Sequence, residues 1–544
     1  MFTVNVSGVE VKTNGTYLDA LKLAGKDEGA LAIRHGGETC ELNWDVIKDC
    51  TIEPLTLSTD EGRRVYERSL IFLLLMAVKD EYPHAKVEVE HSLPQGLYIQ
   101  LKEIKFLSNS IVARIERRMK ELAEQDLPFT RDVVSLAEAI EIFREQGQDD
   151  KVRLLSYRPK DSFRIYTCGN VRDYFYGEMV PSTGYMKLFS LNLHLPGIVL
   201  TMPSRDNPQV LSQREPSPKL AEVFAQSEKW GEILNVQVVA DLNDMIKTGD
   251  IHEFVRVNEA LHEKTISQIA DEIYEKKPHV VLIAGPSSSG KTTFTNRLNI
   301  QLRVNGLKPI LISLDNYYKS RSDVPLDENG NKDFEHLHSI DVAHFNEQLV
   351  SLLQGDTVHL PVFDFGTGKR SERGVETKLL DNQPILIEGI HGLNDDLTYD
   401  IPREFKYKVF VSALNQLNLD DSNRIRSTDL RLIRRLTRDY FTRSSTMTNT
   451  FSMWPSVRKG EERWIFPFQE EADYIFNSSL TYELAVIKKY LYPLLSNVEP
   501  SSEYYLEARR LVKFLNYILD ADVERDIPPT SILREFIGGN SFYS

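Results

Sequence analysis

The stretch Gly285-Pro286-Ser287-Ser288-Ser289-Gly290-Lys291-Thr292 satisfies the pattern G-x-x-x-x-G-K-[ST] without a mismatch. The apolar run Val280-Val281-Leu282-Ile283-Ala284 precedes it and reads as a buried parallel strand. Behind it, Phe294, Leu298 and Leu302 recur at four-residue spacing, which predicts a helix. A strand, a glycine-rich turn and a helix in that order aim backbone N–H groups and the positive end of a helix at one point, where a nucleotide phosphate is held. Gly285 through Thr293 are therefore the candidate nucleotide-binding residues, with Lys291 bridging phosphates and the Thr292 hydroxyl ligating Mg²⁺. A Gly/Ser-rich turn that matches by chance is the alternative, and the flanking strand and helix argue against it.

At 544 residues the chain exceeds a single hydrophobic core, so several domains are expected. A net charge of −15 argues against broad, non-specific nucleic-acid binding as the main activity. The three cysteines, Cys40, Cys50 and Cys168, form no C-x-x-C pair, and the first residues lack a basic, cleavable apolar segment. The apolar run Leu70 to Val78 is too short to span a membrane. A cytoplasmic, reducing setting is the expectation.

Two further acidic residues stand at strand ends. Pro309 to Leu314 reads as a strand leading into Asp315-Asn316-Tyr317-Tyr318, and Pro384 to Ile387 as a strand ending in Glu388-Gly389. In an open α/β sheet, ligands bind beyond the carboxyl ends of the strands. Asp315 there accepts the proton of an acceptor hydroxyl as it attacks a γ-phosphate, or else caps the next helix. Glu388 there holds Mg²⁺, directly or through water. A helix from Asp429 to Phe441 carries the stripe Leu432, Ile433, Leu436 and Tyr440, with Arg431, Arg435 and Arg438 nearly opposite. In isolation that basic stripe reads as a solvated face; beside a phosphate loop it suits a lid over the transferring group.

Taken together, residues 279–480 resemble the uridine kinase and phosphoribulokinase family, in particular its uridine-cytidine kinase branch. The segments that carry the likeness are the phosphate loop, Asp315 to Tyr318, Phe334-Glu335-His336, Pro361-Val362-Phe363-Asp364-Phe365, Ile387 to Ile390, Arg434 to Asp439 and Ala472 to Ile475. The resemblance implies an ATP- and Mg²⁺-dependent kinase in which Asp315 is the catalytic base, with Lys291 and Arg435 also catalytic. It implies further that Tyr318, Glu335, Phe363, Arg438 and Arg443 contact substrate, Glu335 standing where the family has an Asp. The departures are Phe363 in place of a tyrosine, Gly368 in place of a histidine and Ser445 in place of a lid arginine. Loss of the first two removes hydrogen-bonding groups that read a pyrimidine edge.

The front of the chain carries a second likeness. Residues 1–60 read as a hairpin, a helix capped by Thr16 and later strands, and resemble the β-grasp (TGS) domain that precedes threonyl-tRNA synthetases. Residues 61–235 resemble the editing domain of that enzyme, through Asp60-Glu61-Gly62, Arg68 to Leu74 and Gly177 to Gly184. The family's four metal ligands fall on Arg68, Phe72, Phe175 and Met179, none of which can bind a metal in that role. Residues 236–278 read as a connecting helical segment, in which His252 and His262 are surface or packing histidines. Residues 481–544 read as helical packing or oligomer surface with no assigned chemistry.

The fold expected is multidomain: an α/β P-loop kinase with a parallel sheet, behind a β-grasp domain and an α+β synthetase-like domain. The expected acceptor is a primary hydroxyl, the 5′-OH of a ribonucleoside. A sugar phosphate or other small alcohol remains open as acceptor, as does a regulatory ATPase that contacts RNA or a ribosome through the front half. No membrane partner is expected, and a homo-oligomer remains open.

Overall fold

The computed structural model describes all residues except 159–161, 214, 329, 365, 366, 372, 543 and 544, so Phe365 of the sequence motif lies outside the described residues. Residues near the N-terminus form a five-stranded sheet in the order Val9–Thr13, Phe2–Val6, Cys50–Leu55, Ala32–His35, Glu38–Cys40. The first strand runs antiparallel to its hairpin partner and parallel to Cys50–Leu55, with Val4 beside Cys50. Alternation puts Val4, Val6, Ile33 and Ile52 on one buried face, against Ala20 and Leu21 of the helix Tyr17–Leu23. Thr16 caps that helix: its hydroxyl accepts from the Asp19 N–H at 3.2 Å while Asp19 accepts from the Thr16 N–H at 2.9 Å.

The next layer is built on the helix Asp60–Glu81, whose residues Leu70–Leu74 are buried together. It lies with the helix Asn109–Glu124 against a four-stranded antiparallel sheet ordered Ser190–His194, Gly197–Thr201, Gly96–Lys102, Lys86–Leu93. A three-stranded sheet of Val171–Asp173, Ser162–Cys168 and Thr130–Ser135 follows. The two segments that resemble the editing signatures meet here. Phe72 and Phe175 rings lie 5.7 Å apart, Arg68 donates to the Glu178 carbonyl at 2.9 and 3.1 Å, and the Ser69 hydroxyl approaches the Met179 sulfur at 3.9 Å. Two phenylalanine rings, a thioether and the Arg68 guanidinium fill these four positions, and no cluster of three metal-ligating side chains occurs among the described residues.

The second half holds a five-stranded, wholly parallel sheet in the order Ile310–Ser313, Ile385–Glu388, Val280–Ala284, Lys406–Ser412, Tyr474–Asn477. The central strand is buried throughout, as a parallel sheet covered on both faces requires. The helix Ile251–Lys276 packs on it through Ile266, Ile269 and Ile273. His252 pairs with Asp526 at 2.6 Å, and His262 is buried against Phe476 with Nε2 at 3.2 Å from the Ser479 carbonyl.

One apolar core joins the two halves, running from Phe143 and Ile165 through Val255 and Ile269 to Val281, Leu491 and Leu515. The joint is polar as well. After strand Lys406–Ser412 the loop 414–426 reaches into the front half: Asn418 donates to the Val89 carbonyl at 3.0 Å, and the Val89 N–H donates to Asp421 at 2.7 Å. Lys151, fully enclosed, reaches Asp173 at 3.0 Å and Asp420 at 3.5 Å. No helix among the described residues is long and apolar enough to cross a membrane.

Candidate active site

The loop after the central strand is shaped by contacts that exclude side chains. A Cβ on Gly285 would stand 1.9 Å from the Val411 carbonyl oxygen, and Gly290 has φ of +84°. Helix Lys291–Val304 begins directly after Gly290. The hydroxyls of Ser288 and Ser289 are buried with no partner among the described residues. Unsatisfied buried donors at a helix N-terminus are what a bound phosphate would fill. The Lys291 ammonium lies back over the loop, 3.3 Å from the Pro286 carbonyl.

Asp315 follows the strand Ile310–Ser313 in a short 3₁₀ turn, Leu314–Tyr317. Ser313 caps that turn, accepting from the Asp315 N–H at 3.3 Å, so capping is not the work of the Asp315 carboxylate. The carboxylate is open to the cleft but crowded by its walls, and burial raises its pKa. Lys291, Arg443 and Arg438 act in the opposite direction. Glu388 ends the neighbouring strand, in register with Ile283 and Ser313. It accepts from the Thr292 hydroxyl, and burial, followed by the charge of Asp315, pushes its pKa up to about 7. Thr292 and Glu388 thus place two oxygen donors together, which fits a Mg²⁺ held by one or two protein groups with phosphate and water completing the shell. Asp315 and Glu388 share the mouth of the sheet because their strands are adjacent and parallel.

The helix Ser427–Arg443 corrects the reading of its basic stripe as a solvated face. Arg431, Arg434, Arg435 and Arg438 are only 2, 0, 7 and 8% exposed. Each guanidinium has an acceptor from elsewhere in the fold or within its own helix. Arg431 pairs with Glu461 at 2.7 Å, Arg434 with Glu483 at 2.7 Å, Arg438 with Asp439 at 3.0 Å, and Arg435 donates to the Ser287 hydroxyl at 2.9 Å. Arg431 and Arg434 also reach the Ser287 and Ser288 carbonyls at 3.2 and 3.4 Å. Arg443 sits at the rim, its side chain 60% exposed.

On the other side of Asp315, the Tyr318 and Phe363 rings lie 6.1 Å apart, and the Phe363 N–H donates to Asn316 at 3.1 Å. Burial, then Glu461, pushes the Glu335 pKa up to about 7, against the pull of Arg435 and Lys291. Gly368 has φ of +69°, and a Cβ there would stand 2.6 Å from the Arg321 Nε, so a guanidinium occupies the space a larger residue would need.

Four contributors escape the sequence reading. Glu461 accepts from the Ser287 N–H at 2.9 Å, and a Cβ on Gly460 would stand 2.3 Å from the Glu335 Cβ. A glycine inside the helix Met447–Trp464 was the available signal of that close approach. Ile532 and Glu535 bring the C-terminal segment, read from the sequence as packing or oligomer surface with no assigned chemistry, against the loop. A Cβ on Gly290 would stand 2.5 Å from Ile532, and Glu535 accepts from the Thr293 hydroxyl at 2.7 Å and, more weakly, from its N–H at 3.4 Å. No local sequence pattern announces this tail, since the contact is between residues more than 240 apart.

Residues 280–485 match the Phosphoribulokinase / Uridine kinase family. The N-terminal region matches threonyl-tRNA synthetases. The Threonine--tRNA ligase of Marinobacter nauticus is 34% identical over 169 residues, 31% of this chain and 26% of that protein. The same enzyme of Symbiobacterium thermophilum is 34% identical over 165 residues, 30% of this chain and 25% of that protein. The chain thus spans about a quarter of the length of these relatives. A solved structure described as a Possible Uridine Kinase from Bacillus stearothermophilus is 21% identical with a TM-score of 0.26, covering 38% of this chain and 97% of that one. The protein is multidomain, with a P-loop kinase-like fold in its C-terminal part and an N-terminal region similar to threonyl-tRNA synthetases.

Proposed function

We propose that this protein transfers the γ-phosphoryl group of ATP to a primary hydroxyl, the 5′-OH of a ribonucleoside. The observation that carries the reading is the convergence of Asp315, Lys291, Thr292 and Glu388 at the ends of adjacent parallel strands, faced by Arg435 and Arg438. Asp315 accepts the proton of the acceptor hydroxyl as that oxygen attacks; Lys291, Arg438 and Arg443 favour the ionised form this requires. Lys291 and Arg435 neutralise charge on the phosphoryl group in flight. Thr292 and Glu388 would hold Mg²⁺, which would supply charge neutralisation for the transferring phosphate. Glu335 accepts from the ribose hydroxyls, and Tyr318 and Phe363 enclose the sugar and base.

A phosphorylated acceptor is the second reading, favoured by the Arg321 guanidinium beside Gly368, where a base-reading group would otherwise stand. A regulatory ATPase acting on RNA would instead need a positioned water, and Asp315 already serves a hydroxyl.

The test is turnover of Mg·ATP by the purified protein, alone and with each ribonucleoside or a sugar phosphate, with products followed by mass. One acceptor should gain a phosphate and accelerate turnover. Asp315→Asn should reduce transfer by about 10²–10⁴-fold while ATP binding stays nearly unchanged. Undiminished transfer by that variant, or ATP turnover indifferent to every acceptor, would overturn the proposal.

A further inference from the structure

The geometry points to a second ligand site, beside the start of the helix Ser427–Arg443, that takes a nucleoside monophosphate. A cavity of about 690 Å³ lies where the β-grasp sheet, the helix Asp60–Glu81 and the start of the helix Ser427–Arg443 meet. Its size is that of a small-molecule site.

Positive charge gathers on one wall. The helix Ser427–Arg443 opens into the cavity with no side chain capping its N-terminus, and the residue at the cap is Arg426. The Ser427 hydroxyl is already used, accepting from the Asn415 N–H at 3.0 Å. The guanidiniums of Arg63, Arg64 and Arg426 line the same wall.

The nearby carboxylates are largely committed. Glu67 is shared between Arg424 and Arg426 at 3.1 Å each, and Asp60 faces Arg205 at 2.9 Å. Asp429 is held at both oxygens by Arg510, at 2.7 and 2.8 Å. Glu507 is held by Arg510 at 2.6 Å and reaches Arg64 only at 3.7 Å. Among the described residues Arg63 has no carboxylate within salt-bridge distance, and its hydrogen bond goes to the Pro203 carbonyl at 3.1 Å. Burial lowers the pKa values of both Arg63 and Arg64, with Glu67 and Glu507 respectively acting in the opposite direction and neighbouring arginines reinforcing the shift. Arg63 thus keeps guanidinium donors without a carboxylate partner, and a planar, forked guanidinium matches the oxygens of a phosphate.

Aromatic side chains line the cavity as well. Phe451 and Tyr504 are stacked at 5.7 Å with their planes within 10°, and Trp454 lies one turn along from Phe451. Guanidiniums, an uncapped helix end and aromatic side chains around one cavity suit a phosphate joined to a planar base. Arg431 forms part of the floor, and the same guanidinium touches the phosphate loop at the Ser287 carbonyl.

The test uses the full chain with its kinase site first saturated by a non-hydrolysable ATP analogue and Mg²⁺. AMP, UMP and inorganic phosphate are then titrated by calorimetry. The expected result is a further binding event for the monophosphates, stronger than for phosphate alone. Arg63→Gln should weaken it by about tenfold or more, as loss of a charged hydrogen bond implies, and Arg63→Lys should restore part of it. Affinity for the ATP analogue should not change in either variant. If Arg63→Gln fails to melt cooperatively, Trp454→Leu takes its place and should show the same loss for the monophosphates with little change for phosphate. Absence of any further event, or an event unmoved by these substitutions and abolished by Phe363→Ala, would overturn the inference, the latter by assigning the event to the acceptor site.

Discussion

Glu535 stands where an incoming nucleotide needs a donor. Thr293 is the third residue of the helix Lys291–Val304, so its N–H is among those without a partner inside the helix. The Glu535 carboxylate takes the Thr293 hydroxyl at 2.7 Å and approaches the N–H at 3.4 Å, and it faces Glu388 and Arg443 across the cleft. A phosphate reaching the same donors must displace it, because two anions cannot share them. A hydrogen bond to a charged group is worth about 1.5–3 kcal/mol, and the long second contact adds little. Part of that is recovered when the freed carboxylate is hydrated, which leaves a cost near 1.5 kcal/mol for displacement. Glu535→Ala removes the competitor, so Mg·ATP should bind about tenfold more tightly, and Glu535→Gln should give about half that gain in free energy. The rest of the tail keeps its anchors: the Ser531 hydroxyl on Glu259 and the Phe536 ring 4.9 Å from Arg434. The assay is calorimetric titration of each variant with a non-hydrolysable ATP analogue. An affinity unchanged within twofold, or a weaker one in Glu535→Ala, would refute the reasoning and make Glu535 a support for the loop rather than a competitor.

Lys151→Ala should cost about 3–5 kcal/mol in unfolding free energy by denaturant titration, because it strands Asp173 and Asp420 in the joint between the halves without their cation; a loss under 1 kcal/mol would mean water reaches them. The pKa of Glu335, pushed up to about 7 from 4.5, lies above its unfolded value, so its ionisation opposes folding. Its contribution to stability should decline as pH rises from about 4.5 to about 7, and Glu335→Gln should remove that part of the slope in thermal melts. Over the same range acceptor KM should fall with rising pH as the carboxylate becomes able to accept from ribose hydroxyls, and a pH-independent KM would count against Glu335 in that role.

Much of the architecture was legible because its causes are local. The phosphate loop announces itself since the glycines answer to backbone crowding and the preceding strand and following helix follow from apolar spacing. The Thr16 cap and the helix Ile251–Lys276 were readable for the same reason. Strand ends were less so: the strand Ala32–His35 starts and stops where pairing with Cys50–Leu55 selects which residues enter the ladder.

The basic stripe on Ser427–Arg443 shows where local reasoning fails. Helical spacing placed the arginines on one side, but whether that side meets water depends on Glu461, Glu483 and the Ser287 hydroxyl, all remote in sequence. The sequence by itself therefore determined the chemistry available: a phosphate-binding loop, acidic strand ends and a set of arginines. Only the tertiary structure decided that the arginines are buried against the loop, that Gly460 makes room for Glu335 and that a tail carboxylate takes the Thr293 hydroxyl. The reason is physical: the cost of burying a charge or crowding a backbone is set by the partners that folding brings within a few ångströms, and no pattern along the chain records them.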